Sequence, residues 1–86
     1  MTATSHEHTT KLQHIILETL KSRATGYTTR EISYICGIDF ATVTPRMAPM
    51  AGVGWVHMTH NRRKAPHGKG YGHVWIITAR GLGVIA

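Results

Sequence analysis

Between Thr28 and Met50 the chain carries two helical patterns around a three-residue break, and no other stretch restricts its fold as strongly. Thr28 and Glu31 stand three apart. At that spacing a threonine hydroxyl accepts from the third helical amide while a glutamate reaches back to the cap amide. A helix therefore starts after Thr28. Ile32 and Cys36, one turn apart, give it an apolar side, and Gly37 supplies the left-handed conformation that commonly ends a helix. Gly37, Ile38 and Asp39 form the turn. Asp39 is then placed to cap a further helix whose Val43, Met47 and Met50 follow the i, i+4, i+7 spacing of a buried stripe. Pro45 and Pro49 complicate it, because each lacks an amide proton and crowds a preceding carbonyl, at about 3 kcal/mol in an ideal helix interior. Two solutions are open. The helix is bent, or Asp39 to Val43 forms a separate short turn and Thr44 caps a helix that begins at Pro45.

Upstream, Leu12, Ile15, Ile16, Thr19 and Leu20 share a broad face. This predicts a first helix over Lys11 to Ser22, with Thr9 or Thr10 as N-cap and Lys21 near the end where a cation suits the helix dipole. Arg23 to Tyr27, containing Gly26, connects the first helix to the second. Residues 1–9, rich in Thr, Ser and His, have no helical period and are expected to form a flexible arm, leaving residues 10–86 as a single domain. Downstream, Trp55 to Thr59 and His73 to Thr78 alternate as strands, the second with Val74 and Ile76 on one side and Trp75 and Ile77 on the other. Between them, His60 to Gly72 interleaves Arg62, Arg63, Lys64 and Lys69 with Pro66, Gly68, Gly70 and Gly72, which reads as the basic loop of a hairpin. His57 and His73 are expected to oppose one another across it. Ala79 to Ala86, small and mostly apolar, is expected to lie against the domain as a tail.

Ten Lys and Arg against four Asp and Glu give a net charge of +6 with His neutral, which favours a polyanionic partner. Clustering of that charge in the hairpin favours nucleic acid over an acidic membrane or protein surface. Cys36 is the only cysteine, so an intrachain disulfide is excluded. With no apolar leader and no run near the ~20 apolar residues of a spanning helix, a soluble, cytoplasmic protein without a membrane partner is expected. No carboxylate pair, activated cysteine arrangement or glycine-rich phosphate loop following a strand stands out, so no enzymatic activity is expected. Cys36, His57, His60, His67 and His73 lack the spacing of a zinc site, so neither metal nor cofactor is expected.

The residues Tyr27-Thr28-Thr29-Arg30-Glu31-Ile32-Ser33, Gly37-Ile38, Thr42-Val43-Thr44-Pro45-Arg46-Met47, Met50, Gly54-Trp55-Val56 and Thr78-Ala79-Arg80-Gly81 together resemble the winged helix-turn-helix superfamily, especially small phage-type and bacterial DNA-binding regulators. The resemblance implies an α+β fold of three helices followed by a two-stranded basic wing hairpin. The second helix supports, the third is the recognition helix, and the hairpin is the wing.

With Val43, Met47 and Met50 turned inward, the recognition helix is expected to offer Ala41, Thr42, Thr44, Pro45, Arg46 and Ala48 to DNA. Thr42 and Thr44 suit phosphate or base edges, and Ala41 suits a thymine methyl. Arg46, nearer the buried flank, is expected to reach a phosphate or to pair with Glu31 or a carbonyl. The wing offers Arg62, Arg63, Lys64 and Lys69 to phosphate or minor groove, with Tyr71 exposed beside them. Lys21, Arg23, Thr28 and Arg30 are candidates for further phosphate contacts. Tyr27 and Trp55 are expected in the core, and Trp75 over the tail or a partner subunit. The expected function is noncatalytic double-stranded DNA binding, as a transcriptional regulator. The first helix and the apolar tail suit either a homodimer contact or completion of a small monomeric core. The alternative is a structural or adaptor protein of a replication, recombination or protein–protein complex that keeps the same fold.

Overall fold

Thr10 starts helix α1, Lys11–Lys21, by a reciprocal cap: its hydroxyl accepts from the Gln13 amide at 3.1 Å, and the Gln13 side chain accepts from the Thr10 amide at 2.9 Å. This is a computed structural model describing residues 9–64 and 70–86, so the expected arm, Thr9 apart, and Lys69 lie outside the described residues. Ser22 is the C-cap of α1 and not part of it. The buried residues of α1 are Ile16, Leu17 and Leu20. Leu17 lies off the expected stripe: it shares one face with Ile16 and Leu20, opposite the exposed Lys11, His14, Glu18 and Lys21, so the buried face of α1 is turned from Leu12 and Ile15 toward Leu17.

A two-residue strand, β1 (Tyr27–Thr28), precedes helix α2 (Thr29–Cys36), and both arms of the expected capping box are present, from the Glu31 amide to the Thr28 hydroxyl at 3.2 Å and from the Thr28 amide to the Glu31 carboxylate at 2.9 Å. Gly37 closes α2 at φ 69°, a left-handed angle that a side chain resists. Helix α3 then runs unbroken over Phe40–Gly52 with Pro45 and Pro49 inside it. The start at Pro45 is therefore not adopted. Asp39 occupies the N-cap position, but its side chain makes no capping bond, contrary to expectation; its carbonyl accepts from the Thr42 and Val43 amides instead. Burial of Val43, Met47 and Met50, at roughly 1.5–3 kcal/mol each, offsets what the prolines take from the helix.

The hairpin strands β2 (Val56–Lys64) and β3 (Tyr71–Ile77) are both longer than their apolar alternation predicts. Arg62, Arg63 and Lys64 pair with His73, Gly72 and Tyr71, so these wing residues stand on strands and not in a loop. Between Met58 and Arg62 β2 takes four steps where β3 takes two, from Trp75 to His73, which displaces the register. Thr59 fills the irregularity, its hydroxyl donating to the Val74 carbonyl at 2.7 Å and its carbonyl lying 3.1 Å from His73 Nδ1. His57 consequently faces Ile76, and His73 faces Arg62; the two histidines do not oppose one another. Strand β3 is central in an antiparallel sheet of order β1-β3-β2.

Beyond Thr78 the expected tail forms a helix, α4 (Ala79–Val84), which is capped by the Thr78 hydroxyl. The same hydroxyl donates to the Gly54 carbonyl at 2.5 Å, tying α4 to the entry of β2. Gly81 is buried against the Trp55 carbonyl, where a β-carbon would collide with backbone. Ile16, Leu17, Leu20, Ile32, Val43, Met47, Met50, Trp55, Val56 and Ile85 form the core, with Tyr27, Cys36 and Trp75 partly buried against it. Trp75 thus packs on this chain's own core.

Candidate nucleic-acid interface

Helix α3 buries one stripe and leaves Ala41, Thr42, Thr44, Pro45, Arg46, Ala48 and Pro49 exposed on the remaining surface. Arg46 is the only ionisable side chain in the helix. It stays exposed and does not pair with Glu31, whose partner is Arg63. The Thr44 hydroxyl donates to the Phe40 carbonyl at 2.8 Å, which commits its proton to the helix backbone and leaves only lone pairs to offer outward. Thr42, in the first turn of α3, is exposed.

On the wing, Arg62 and Lys64 are exposed and Tyr71 retains 64% of its surface. Arg63 behaves differently. Its guanidinium donates to Glu31 Oε1 at 2.6 Å, the same oxygen that accepts from the Thr28 amide, so wing, β1 and α2 meet at one carboxylate. Burial by itself raises the Glu31 pKa. Hydrogen bonds from Arg63 and the Thr28 amide, with the charges of Arg63 and Arg23, outweigh burial and hold the carboxyl below its ordinary value. The pairing joins residues 32 positions apart, and no local spacing signals it.

Arg30 is exposed at the start of α2 with its guanidinium 3.9 Å from the centre of the Phe40 ring, a cation–π contact that holds it beside the start of α3. Phe40, absent from the expected site, therefore acts as a platform for Arg30. Thr29, Arg30, Phe40 and Tyr71 border a shallow cavity of about 230 Å³ between the two helices and the wing. Arg23 is similarly held, 5.2 Å from the Tyr27 ring centre and bonded to Thr25 at 3.0 Å, while Lys21 is exposed on the last turn of α1. Thr28 is not available to a phosphate: it is 1% exposed and its hydroxyl serves the α2 cap. Among the described residues no group of three or more His, Cys, Asp or Glu is placed to hold a metal ion, and no helix is long and apolar enough to cross a membrane.

No protein-family model matches the sequence, and no curated protein matches it. Solved structures do match in fold. A MarR mutant from E. coli complexed with operator DNA superposes with a TM-score of 0.68 at 22% identity, over 94% of this chain and 54% of that one. The transcriptional repressor CouR, bound to a 23-mer DNA duplex, gives 0.68 at 20% identity, over 95% of this chain and 54% of that one. A MarR-family transcriptional regulator from Rhodococcus gives 0.70 at 16% identity, over 96% and 54%. The chain spans about half the length of these structures. Three helices, a two-stranded wing and a short helix after it, in the order and arrangement found here, make this chain a winged helix-turn-helix domain with the fold of MarR-family regulators.

Proposed function

We propose that the chain is a noncatalytic, cytoplasmic transcriptional regulator that binds double-stranded DNA, with α3 in the major groove and the β2–β3 wing on adjacent phosphates or minor groove. The observation that carries this reading is the placement of exposed cations around α3. Arg62 and Lys64 stand on the wing, Arg46 on α3 and Arg30 at the start of α2, where Phe40 holds it. Each cation suits a phosphate, and together they frame a helix whose small exposed side chains allow close approach to base edges. Two of the matched structures were solved on DNA, which supports the same use of the fold here.

Two copies on an inverted repeat suit the small surface of one such domain, because pairing places two recognition helices about one DNA turn apart. Titration into a genomic duplex pool at several salt concentrations tests the reading. Binding is expected to weaken steeply with salt, by about 0.9 in log–log slope for each neutralised phosphate. A flat salt response, or tighter binding to a noncomplementary single strand, removes it. Analytical ultracentrifugation on the best duplex tests the pairing; a strict one-domain complex that persists as protein concentration rises removes the dimer.

A further inference from the structure

Helix α3 poses a chemical problem for sequence reading, since Arg46 is its only long polar side chain and the Thr44 proton is spent on the Phe40 carbonyl. The two prolines answer it. A helical carbonyl normally accepts from the amide four residues on, and proline has no amide proton. Pro45 therefore deprives the Ala41 carbonyl of its helical donor, and Pro49 deprives the carbonyl of Pro45. Ala41, Pro45 and Pro49 are all exposed residues spaced four apart, so the two affected carbonyls belong to successive turns of the face opposite the buried Val43, Met47 and Met50 stripe.

We propose that α3 reads the major groove through these backbone carbonyls, the Ala41 and Pro45 oxygens accepting hydrogen bonds from adenine N6 amino groups. This rests on the DNA-binding reading above and specifies how its recognition helix discriminates. The choice of adenine follows from the surroundings of the oxygens. Ala41, Pro45, Ala48 and Pro49 form an apolar surface suited to the thymine methyl that the same A·T pair presents, whereas a C·G pair offers an amino group and no methyl. An acceptor fixed in a helix also carries no side-chain ordering cost, and it is left wanting a donor when the base has none.

The test pairs protein variants with base analogues on the best duplex found for the wild-type chain. Each adenine is replaced singly by purine, which lacks the N6 amino group. Wild-type affinity is expected to fall about three- to tenfold at each of two positions, the range of a single net hydrogen bond. Pro45→Ala restores an N–H at position 45 and gives the Ala41 carbonyl a helical partner. This variant is expected to retain or gain helix content by circular dichroism and to keep the wild-type salt slope. It is also expected to lose sensitivity to purine at one of those positions, and Pro49→Ala at the other.

An alanine analogue at position 45 with an ester oxygen in place of the N–H lacks both the ring and the donor, and is expected to keep the wild-type purine sensitivity. If that analogue behaves like Pro45→Ala, the ring and not the missing donor is responsible, and the proposal fails. It fails equally if Pro45→Ala keeps every wild-type purine sensitivity, or if the wild-type chain has none. Those results leave salt-dependent duplex binding intact, whereas absence of any duplex binding at low salt defeats the DNA-binding reading itself.

Discussion

Replacing Glu31 with alanine removes two interactions that meet at one oxygen. The first is the capping-box bond from the Thr28 amide at 2.9 Å, whose loss costs about 0.5–1 kcal/mol. The second is the 2.6 Å ion pair with Arg63, whose side chains are 32% and 16% exposed for Arg63 and Glu31. A hydrogen bond between charged groups contributes about 1.5–3 kcal/mol when buried, but Arg63 is exposed enough to regain water, so a net of about 1 kcal/mol is the better figure. Glu31→Ala is therefore expected to destabilise by about 2 kcal/mol, or roughly 8–16 °C in midpoint for a domain of this size. Urea unfolding of the wild type, Glu31→Ala, Arg63→Ala and the double variant isolates the pair, because the capping contribution cancels in the cycle. A coupling of about 1 kcal/mol is expected. Coupling below about 0.3 kcal/mol, within the scatter of independent sites, refutes the tie between wing and α2.

Three further outcomes follow from the same geometry. Arg62→Ala is expected to lower the salt slope of duplex binding by about one unit with unfolding unchanged, whereas Arg63→Ala acts chiefly on stability; equal slope losses in the two variants contradict that division. Because the Glu31 pKa is depressed in the folded state, its contribution is present above the ordinary value of 4.5 and is lost as pH falls through the folded value. The stability gap between wild type and Glu31→Ala should therefore narrow on acidification below that value, and a gap that widens reverses the sign. Gly81→Ala, which drives a β-carbon into the Trp55 carbonyl, is expected to cost more than about 3 kcal/mol, and Gly37→Ala, left-handed but in open space, about 1–2 kcal/mol; similar denaturation midpoints for the two variants contradict the close packing of α4.

What the sequence made legible was local. The Thr28 and Glu31 box, the left-handed Gly37 and the Val43, Met47 and Met50 stripe each depend on neighbours within a few positions, and each is present. What it concealed depends on partners far along the chain. Strand β1 has two residues and exists because β3 pairs with it, and Leu17 is buried because the rest of the fold covers the side of α1 that it shares with Ile16 and Leu20. The hairpin ran past its apolar alternation since ladder bonds are made by backbone, which lets Arg62, Arg63 and Lys64 belong to β2 without an apolar face. The prolines of α3 show tertiary packing overriding propensity, because three buried side chains hold a helix that local chemistry disfavours. The exposed wing and helix residues were visible as candidates, but the commitment of Arg63 to Glu31 and of Thr28 to the α2 cap came only with the fold.

The placement of α3 in the major groove is tested most directly by dimethyl sulfate footprinting on the best duplex, since the reagent methylates guanine N7 in the major groove and adenine N3 in the minor groove. With α3 in the major groove and the wing beside it, guanine N7 protection is expected in one cluster per bound domain, with any adenine N3 protection confined to the flanking minor groove. Protection at adenine N3 alone, with guanine N7 as reactive as in free DNA throughout the bound site, contradicts the account.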